Sequence, residues 1–326
     1  MSLLEVLSKP FPLISAPLAG LSDLPFRLIN RQFGCQYAFL EMIHARSLTY
    51  ENIKTLDLLR TQESDTPLGL QLLGDEAPFL KLAIELLEKN KYKHDVLDFN
   101  AACPIKKITC KGEGAALLKN RRKLSSLIKV LVKNSKVPVT VKMRLGWDDT
   151  VKAVDIASSI QDAGAQVVFV HGRTKIQGYS GEVDYPAIRK IKKKLTIPIV
   201  ASGNILDPFL AKKMFEQTGC DGILIARGGL GNPWIFKQIS EFLSKEQLIP
   251  RPSVNEIAGI MKTHLNLYMG HYGPKRGLWN FRKFFVWYTR GMNNIKQLRC
   301  RVMRVSSEAD MLLVIEDFKQ TAAAAN

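Results

Sequence analysis

The chain has 326 residues, 46% of them hydrophobic, and carries 47 Lys and Arg against 30 Asp and Glu, a formal charge of +17; that is enough apolar material for one large core plus an appendage, and so much positive charge points to a polyanionic partner. The five cysteines, Cys35, Cys103, Cys110, Cys220 and Cys300, are widely spaced without a CxxC pair, which excludes a disulfide framework and a zinc ribbon, predicts no metal, and fits a reducing compartment. No basic stretch precedes an apolar one at the N-terminus and no apolar run reaches bilayer length, so a cytoplasmic chain with no signal peptide and no membrane partner is expected.

From Pro12 to about Lys245, short apolar runs alternate with helical patterns. The runs are PLISAP, YAFLEM, PLGLQLL, VLDFN, VPVTVKMRL, QVVFVHG, IPIVASG and DGILIA. Between them, PFLKLAIELLEKN and KLSSLIKVLVKN place apolar residues at helical spacing. Continuous apolar strands alternating with helices imply a parallel sheet buried on both faces. About eight such units predict an α/β fold, a (β/α)8 TIM barrel, over residues 1–245. A doubly wound sheet would carry a Gly-rich turn after its first strand, and APLAGLSDLPF has no GxGxxG. No Walker A motif is present, and the glycines of RGGLGNP have the wrong spacing for a dinucleotide turn.

After EQLIPRPS, whose prolines mark a linker, only helical patterns follow, which predicts a small all-helical domain over 246–326. Leu278, Phe281, Phe285, Tyr288 and Met292 would form one apolar face, and Arg276, Lys283 and Arg290 would lie on another. Between Arg251 and Arg304 the only acid is Glu256, which makes this region the basic half of the molecule. Its interleaved aromatics, Trp279, Trp287 and Tyr288, are read as core. The terminal TAAAAN carries no motif.

In a barrel of this class the chemistry lies at the C-terminal ends of the strands. The first strand there ends in Ala16–Gly20, the third near Gln71, and the fourth at Asn100 and Cys103. The fifth carries Lys142 and Arg144, the sixth ends in His171 and Arg173, the seventh in Ser202–Asn204, and the eighth in Ala226 and Arg227. The last two loops, ASGNI and ARGGLGN, suit a phosphate: glycines let backbone N–H groups approach and Arg227 neutralises charge. Lys142, inside an apolar strand, is expensive to bury alone and calls for an anionic group.

The stretches PLAGLSDLPFR, QLLG, NAACPIKKITCKGEGAALL, VKMRLGW, HGRTKIQGYSG, ASGNI, IARGGLGNPWIF and FRKFFVWYTRGM together resemble the tRNA-dihydrouridine synthases, in family order from Ala16 to Met292. The resemblance implies an FMN-containing barrel with a C-terminal helical domain, a monomer that uses NADPH to reduce the C5–C6 double bond of uridines in tRNA. By match, Pro17, Leu18 and Ala19 would line the flavin, Gln71 and Lys142 would contact its ring system, and His171 would lie beside it. Ser202, Gly203, Asn204, Ala226 and Arg227 would form the phosphate site. Cys103 would be the catalytic acid, with Asn100 and Arg144 near the target base. Lys106, Lys107, Arg173, Arg276, Arg282, Lys283 and Arg290 would meet tRNA.

The chain departs from the family in two places. Ala101 and Ala102 stand where Met-Gly is usual before the cysteine, and Ser202 stands where Asn is more common. Neither change removes a group the chemistry needs. An FMN barrel acting on a free pyrimidine or enone would explain Lys142 and the phosphate loops but not the +17 charge. A tRNA-binding protein without catalysis would be colourless.

Overall fold

The computed structural model describes residues 2–323; residues 324–326 of the terminal stretch lie outside it. Eight parallel strands close into one barrel in sequence order: β1 (Leu13–Ser15), β2 (Tyr37–His44), β3 (Leu68–Leu73), β4 (Val96–Ala101), β5 (Val139–Arg144), β6 (Val167–His171), β7 (Ile199–Ser202) and β8 (Gly222–Ile225). The helices are α1 (Leu3–Leu7), α2 (Leu24–Gln32), α3 (Ala45–Thr49), α4 (Ile53–Asp57), α5 (Ala77–Lys89), α6 (Lys106–Thr109), α7 (Arg121–Asn134), α8 (Ala153–Asp162), α9 (Tyr185–Lys194), α10 (Pro208–Thr218), α11 (Trp234–Lys245), α12 (Val254–Tyr272), α13 (Pro274–Tyr288), α14 (Lys296–Val302) and α15 (Glu308–Ala323). The fold is the expected TIM barrel followed by helices. Among the described residues no helix is long and apolar enough to cross a membrane.

Helix starts follow from local chemistry. Asp23, Asp184 and Asp207 each cap a helix whose first turn contains proline, and Ser253 with Glu256 forms a capping box on α12. Inside the barrel, Ile14, Tyr37, Phe39, Val96, Phe169 and Leu224 fill the lumen, and Leu3 and Val6 of α1 join the same cluster. The lumen is therefore packed below, and open space remains only toward the strand ends. Register brings site residues level there: Asn100 pairs with Lys142, Arg144 with His171, and His171 with Ser202.

The C-terminal helices bury Met261, Leu265, Tyr268, Phe281, Phe285 and Phe318 in a cluster that also takes in Phe26 and Leu230 of the barrel. Helix α13 ends at Tyr288, earlier than the apolar spacing predicted. The Thr289 hydroxyl donates back to the Phe285 carbonyl (3.0 Å) and Gly291 turns the chain, so Met292 and Arg290 lie beyond the helix. Trp279 is 56% exposed rather than core, with Lys275 Nζ 5.5 Å from its ring centroid.

The helices close against the mouth of the barrel along a tight seam. Asp23 accepts from the hydroxyls of Tyr268 (2.9 Å) and Tyr272 (3.0 Å). Lys283 Nζ donates to the Gly20 carbonyl (2.5 Å), and the Gly20 N–H donates to Glu41. Gly231, at φ +65°, has the α13 backbone so close that a Cβ there would stand 2.3 Å from the Trp287 carbonyl carbon. The loops after β1 and β8 are thus both clamped by the C-terminal helices.

His264 on α12 sits at the centre of this cluster among Tyr268, Phe281, Phe284 and Tyr288, its Nδ1 2.9 Å from the Tyr288 hydroxyl. Burial, with a smaller push from Lys283, lowers its pKa to about 3. A depressed histidine contributes stability that is present above its unfolded value and lost as pH falls toward the folded one. The melting temperature should therefore fall between pH 6.5 and 4, and His264→Phe should flatten that limb. Parallel pH curves for the two proteins would show that other groups govern it.

Candidate active site

A cavity of about 460 Å³ opens at the C-terminal ends of the strands, within the usual range for small-molecule sites. Pro17, Leu18 and Ala19 after β1 line it beside Ala226 and Arg227 after the neighbouring β8, with Ser202, Gly203 and Asn204 from β7 and its loop next to them. Gln71, Asn100, Cys103, Lys142, Arg144 and His171, from β3 to β6 and their loops, line the rest. Every residue assigned by sequence to the cofactor thus faces one space, together with Cys103, Asn100 and Arg144.

The phosphate-like end is built from backbone. Gly203 (φ +133°) and Asn204 (φ +50°) are successive residues at positive φ, a conformation glycine and asparagine tolerate best. A short 3-10 turn, Arg227–Gly229, follows β8. Arg227 Nη2 donates to Asn204 Oδ1 (3.3 Å), tying the two loops together. Tyr179 stands between two cations, with the guanidinium of Arg227 4.9 Å and that of Arg144 5.5 Å from its ring centroid. His171 is driven well below its ordinary pKa by burial and then by Lys142, Arg144, Arg173 and Arg227. It is therefore a neutral imidazole in a positive field, and its buried Nδ1 has no partner among the described residues. A site of this kind favours an anionic ligand that can accept or donate one hydrogen bond.

Beneath the cavity runs a buried polar chain. Asp98 accepts from Gln71 Nε2 (2.6 Å) and from the Thr140 hydroxyl (2.7 Å). Asn100 Nδ2 donates to Gln71 Oε1 (2.7 Å), and Asn100 Oδ1 accepts from the N–H groups of Ala102 (3.0 Å) and Cys103 (2.9 Å). Burial raises Asp98 to about 6 against the pull of its hydrogen bonds, and burial lowers Lys142 to about 8 with Arg144 adding to the shift. Lys142 thus keeps its proton at neutral pH.

The thiol is held on both sides. Cys103 donates its N–H to Asn100, and its carbonyl accepts from Ala115 N–H (3.0 Å). Arg144 Nε donates to the Ala102 carbonyl (2.9 Å), while its Nη1 serves the Thr174 and Gly178 carbonyls (2.9 and 2.8 Å). Burial raises the Cys103 pKa, so the thiol is protonated at neutral pH. The Ala101–Ala102 departure leaves this arrangement intact, because the contact from residue 102 is made by its backbone N–H.

Other basic residues lie elsewhere. Arg173 is buried, donates Nε and Nη2 to the Gly181 carbonyl, and does not line the cavity. Lys106 and Lys107 are exposed on α6 just past the thiol. Arg276, Lys283 and Arg290 do not form one free helical face. Arg276 pairs with Asp57 (2.9 Å), Lys283 is fixed to Gly20, and Arg290 lies past the helix end. Arg282 donates to the Val305 carbonyl, holding α13 to the segment before α15. On α14 and just past it, Lys296, Arg301 and Arg304 line an open groove with Cys300, and of these Arg301 pairs with Asp317.

Sequence reasoning missed Asp98, Thr140 and Tyr179. Asp98 carried the signal that singled out Lys142, a charge inside an apolar strand, in VLDFN. Tyr179 lay unmarked within HGRTKIQGYSG.

Comparison with known proteins agrees with the geometry. The family model described as Dihydrouridine synthase (Dus) matches residues 14–324. The chain is 33% identical over 315 residues to a probable tRNA-dihydrouridine synthase of Rickettsia typhi, covering 96% of each chain. It is 32% identical to tRNA-dihydrouridine synthase B of Pasteurella multocida, covering 93% of this chain and 91% of that one. Among solved structures, the 6-hydroxypseudooxynicotine amine oxidase of Pseudomonas geniculata N1 shares the fold at a TM-score of 0.54 and 13% identity, over 78% of this chain and 50% of that one. With a family match along nearly its whole length and relatives above 30% identity over more than nine-tenths of it, the chain belongs to the dihydrouridine synthase family.

Proposed function

We propose that the cavity binds FMN and that the protein, a tRNA-dihydrouridine synthase, reduces the C5–C6 double bond of uridines in tRNA with NADPH as the reductant and Cys103 as the proton donor to C5. The observation that carries this reading is the convergence of a protonated thiol, a partly buried cation and a phosphate-like loop pair on one cavity. The residues fit the cofactor. Gly203, Asn204, Ala226 and Arg227 suit its phosphate, Gln71 and Lys142 suit its polar ring edge, and the orphaned Nδ1 of His171 calls for a bound partner. FMN supplies a hydride donor, which no side chain can provide.

The protein's own groups do the rest. A uracil that accepts hydride at C6 holds negative charge at C5 and O4, and the chemistry needs one proton at C5. Cys103 gives it as a general acid, since its thiol is kept protonated by burial. The resulting thiolate lies in the field of Lys142 and Arg144 until it regains a proton. Lys142 places a positive charge where negative charge develops, in surroundings that strengthen it. The target base must leave its stack to reach this depth. Lys106 and Lys107 just past the thiol, and the separate groove of α14, offer cations to tRNA phosphates.

The test is reoxidation. Purified protein should be yellow, and after reduction by NADPH in the absence of oxygen its colour should return on adding unmodified tRNA but not uracil or uridine. A colourless protein, or equal reoxidation by free uracil, would overturn the reading.

A further inference from the structure

The polar chain beneath the thiol has a direction, and its two ends agree on it. Asp98 is 1% exposed and does not line the cavity. A carboxylate only accepts, so Gln71 must turn its Nε2 toward it. That leaves Gln71 Oε1 facing Asn100, which answers with Nδ2, and Asn100 Oδ1 is thereby aimed at the backbone of Ala102 and Cys103. The two backbone N–H groups can only donate, so they require the same direction from the other end, and the acceptor at position 98 is what lets Gln71 comply with every group paired. Thr140, level with Asp98 on β5, occupies the other carboxylate oxygen.

We propose that Asp98 and Thr140 form a positioning pair that anchors the far end of the Gln71–Asn100 chain in the direction the backbone of Ala102 and Cys103 requires, and so holds Cys103 at its place in the cavity. Neither touches the cavity, so they act through Gln71 and Asn100. The inference rests on the reading of Cys103 as the proton donor, but its structural half is independent of it.

Isosteric replacements separate this role from a merely structural one. In Thr140→Val, Asp98 remains an acceptor and still orients Gln71. In Asp98→Asn, the new amide keeps its oxygen toward Gln71 by donating its nitrogen to Thr140, whose hydroxyl turns to accept. With both changes that nitrogen has no acceptor except Gln71 Oε1. Gln71 must then flip, which sets its nitrogen against Asn100 Nδ2, or the amide nitrogen stays unpaired. Each single variant should therefore be mild and the double variant should exceed the product of the two.

The first readout is the alkylation rate of Cys103 by iodoacetamide in the purified holoprotein, followed by peptide mass spectrometry. The exposed Cys110 and Cys300 serve as internal standards. The second is the rate of dihydrouridine formation at constant flavin occupancy. The double variant should depart from the product of the singles by about tenfold in both readouts, within the range for residues that share one network. Additive effects on Cys103 alkylation would overturn the proposal. If the protein proves not to reduce tRNA, the alkylation cycle still decides whether the pair positions the loop, so the two failures are distinguishable.

Discussion

Cys103→Ala should purify yellow and still be reduced by NADPH, yet form dihydrouridine at least about a hundredfold more slowly, the scale of losing a general acid. The separation follows from the layout. The phosphate-like end, with Gly203, Asn204 and Arg227, lies in the loops after β7 and β8, whereas the thiol follows β4. Removing the sulfur changes none of the backbone bonds that hold the loop, because Asn100 and Ala115 bond to the main chain of residue 103. Flavin absorbance and dihydrouridine yield should be measured on the same samples. Turnover near the wild-type rate would sink the assignment of Cys103 as the acid.

Lys142→Met and Arg227→Ala should fail in opposite ways. Lys142 is a partly buried cation on β5 that lines the cavity, and losing such a group from a site of developing charge typically slows the reaction by about 10²–10³. Arg227 is exposed at the phosphate-like end. Its loss should cost flavin affinity, by about tenfold once solvent screening is allowed for, and leave the rate of the loaded protein less affected. The pH profile adds a second mark. Burial lowers Lys142 from 10.5 to about 8, so the activity that depends on its ammonium is present below that pH and lost as pH rises through it. Burial raises Cys103 instead, so the thiol does not supply this limb. Activity of the wild type should fall above pH 8, and the residual activity of Lys142→Met should not. A basic limb that survives in the variant would assign it to another group.

The barrel was legible because strands buried on both faces leave continuous apolar runs, and the strand ends then named most of the cavity by position alone. The helical half was harder. Its spacing located α13 but not the helix end, since Thr289 and Gly291 stop it through backbone geometry that apolar periodicity does not record. Seven-residue spacing placed Arg276, Lys283 and Arg290 together, but periodicity says nothing of what faces a helix. Asp57 and Gly20, more than 200 positions away, claim two of the three. Asp98 escaped notice for a similar reason: its role lies in a sequence of donors and acceptors that crosses three strands, and no local pattern carries it.

The seam between barrel and helices bears on whether the protein is divisible. Residues 246–253 run as a connector that a protease or a gene truncation could cut, and the sequence invites that division. A barrel severed there would lose both hydroxyls from Asp23 and the lysine from Gly20, and Phe26 and Leu230 would face water. The damaged edges would be the loops after β1 and β8, which form two walls of the cavity. The C-terminal helices are thus part of the barrel's own scaffold, joined to it by side chains as well as by the chain.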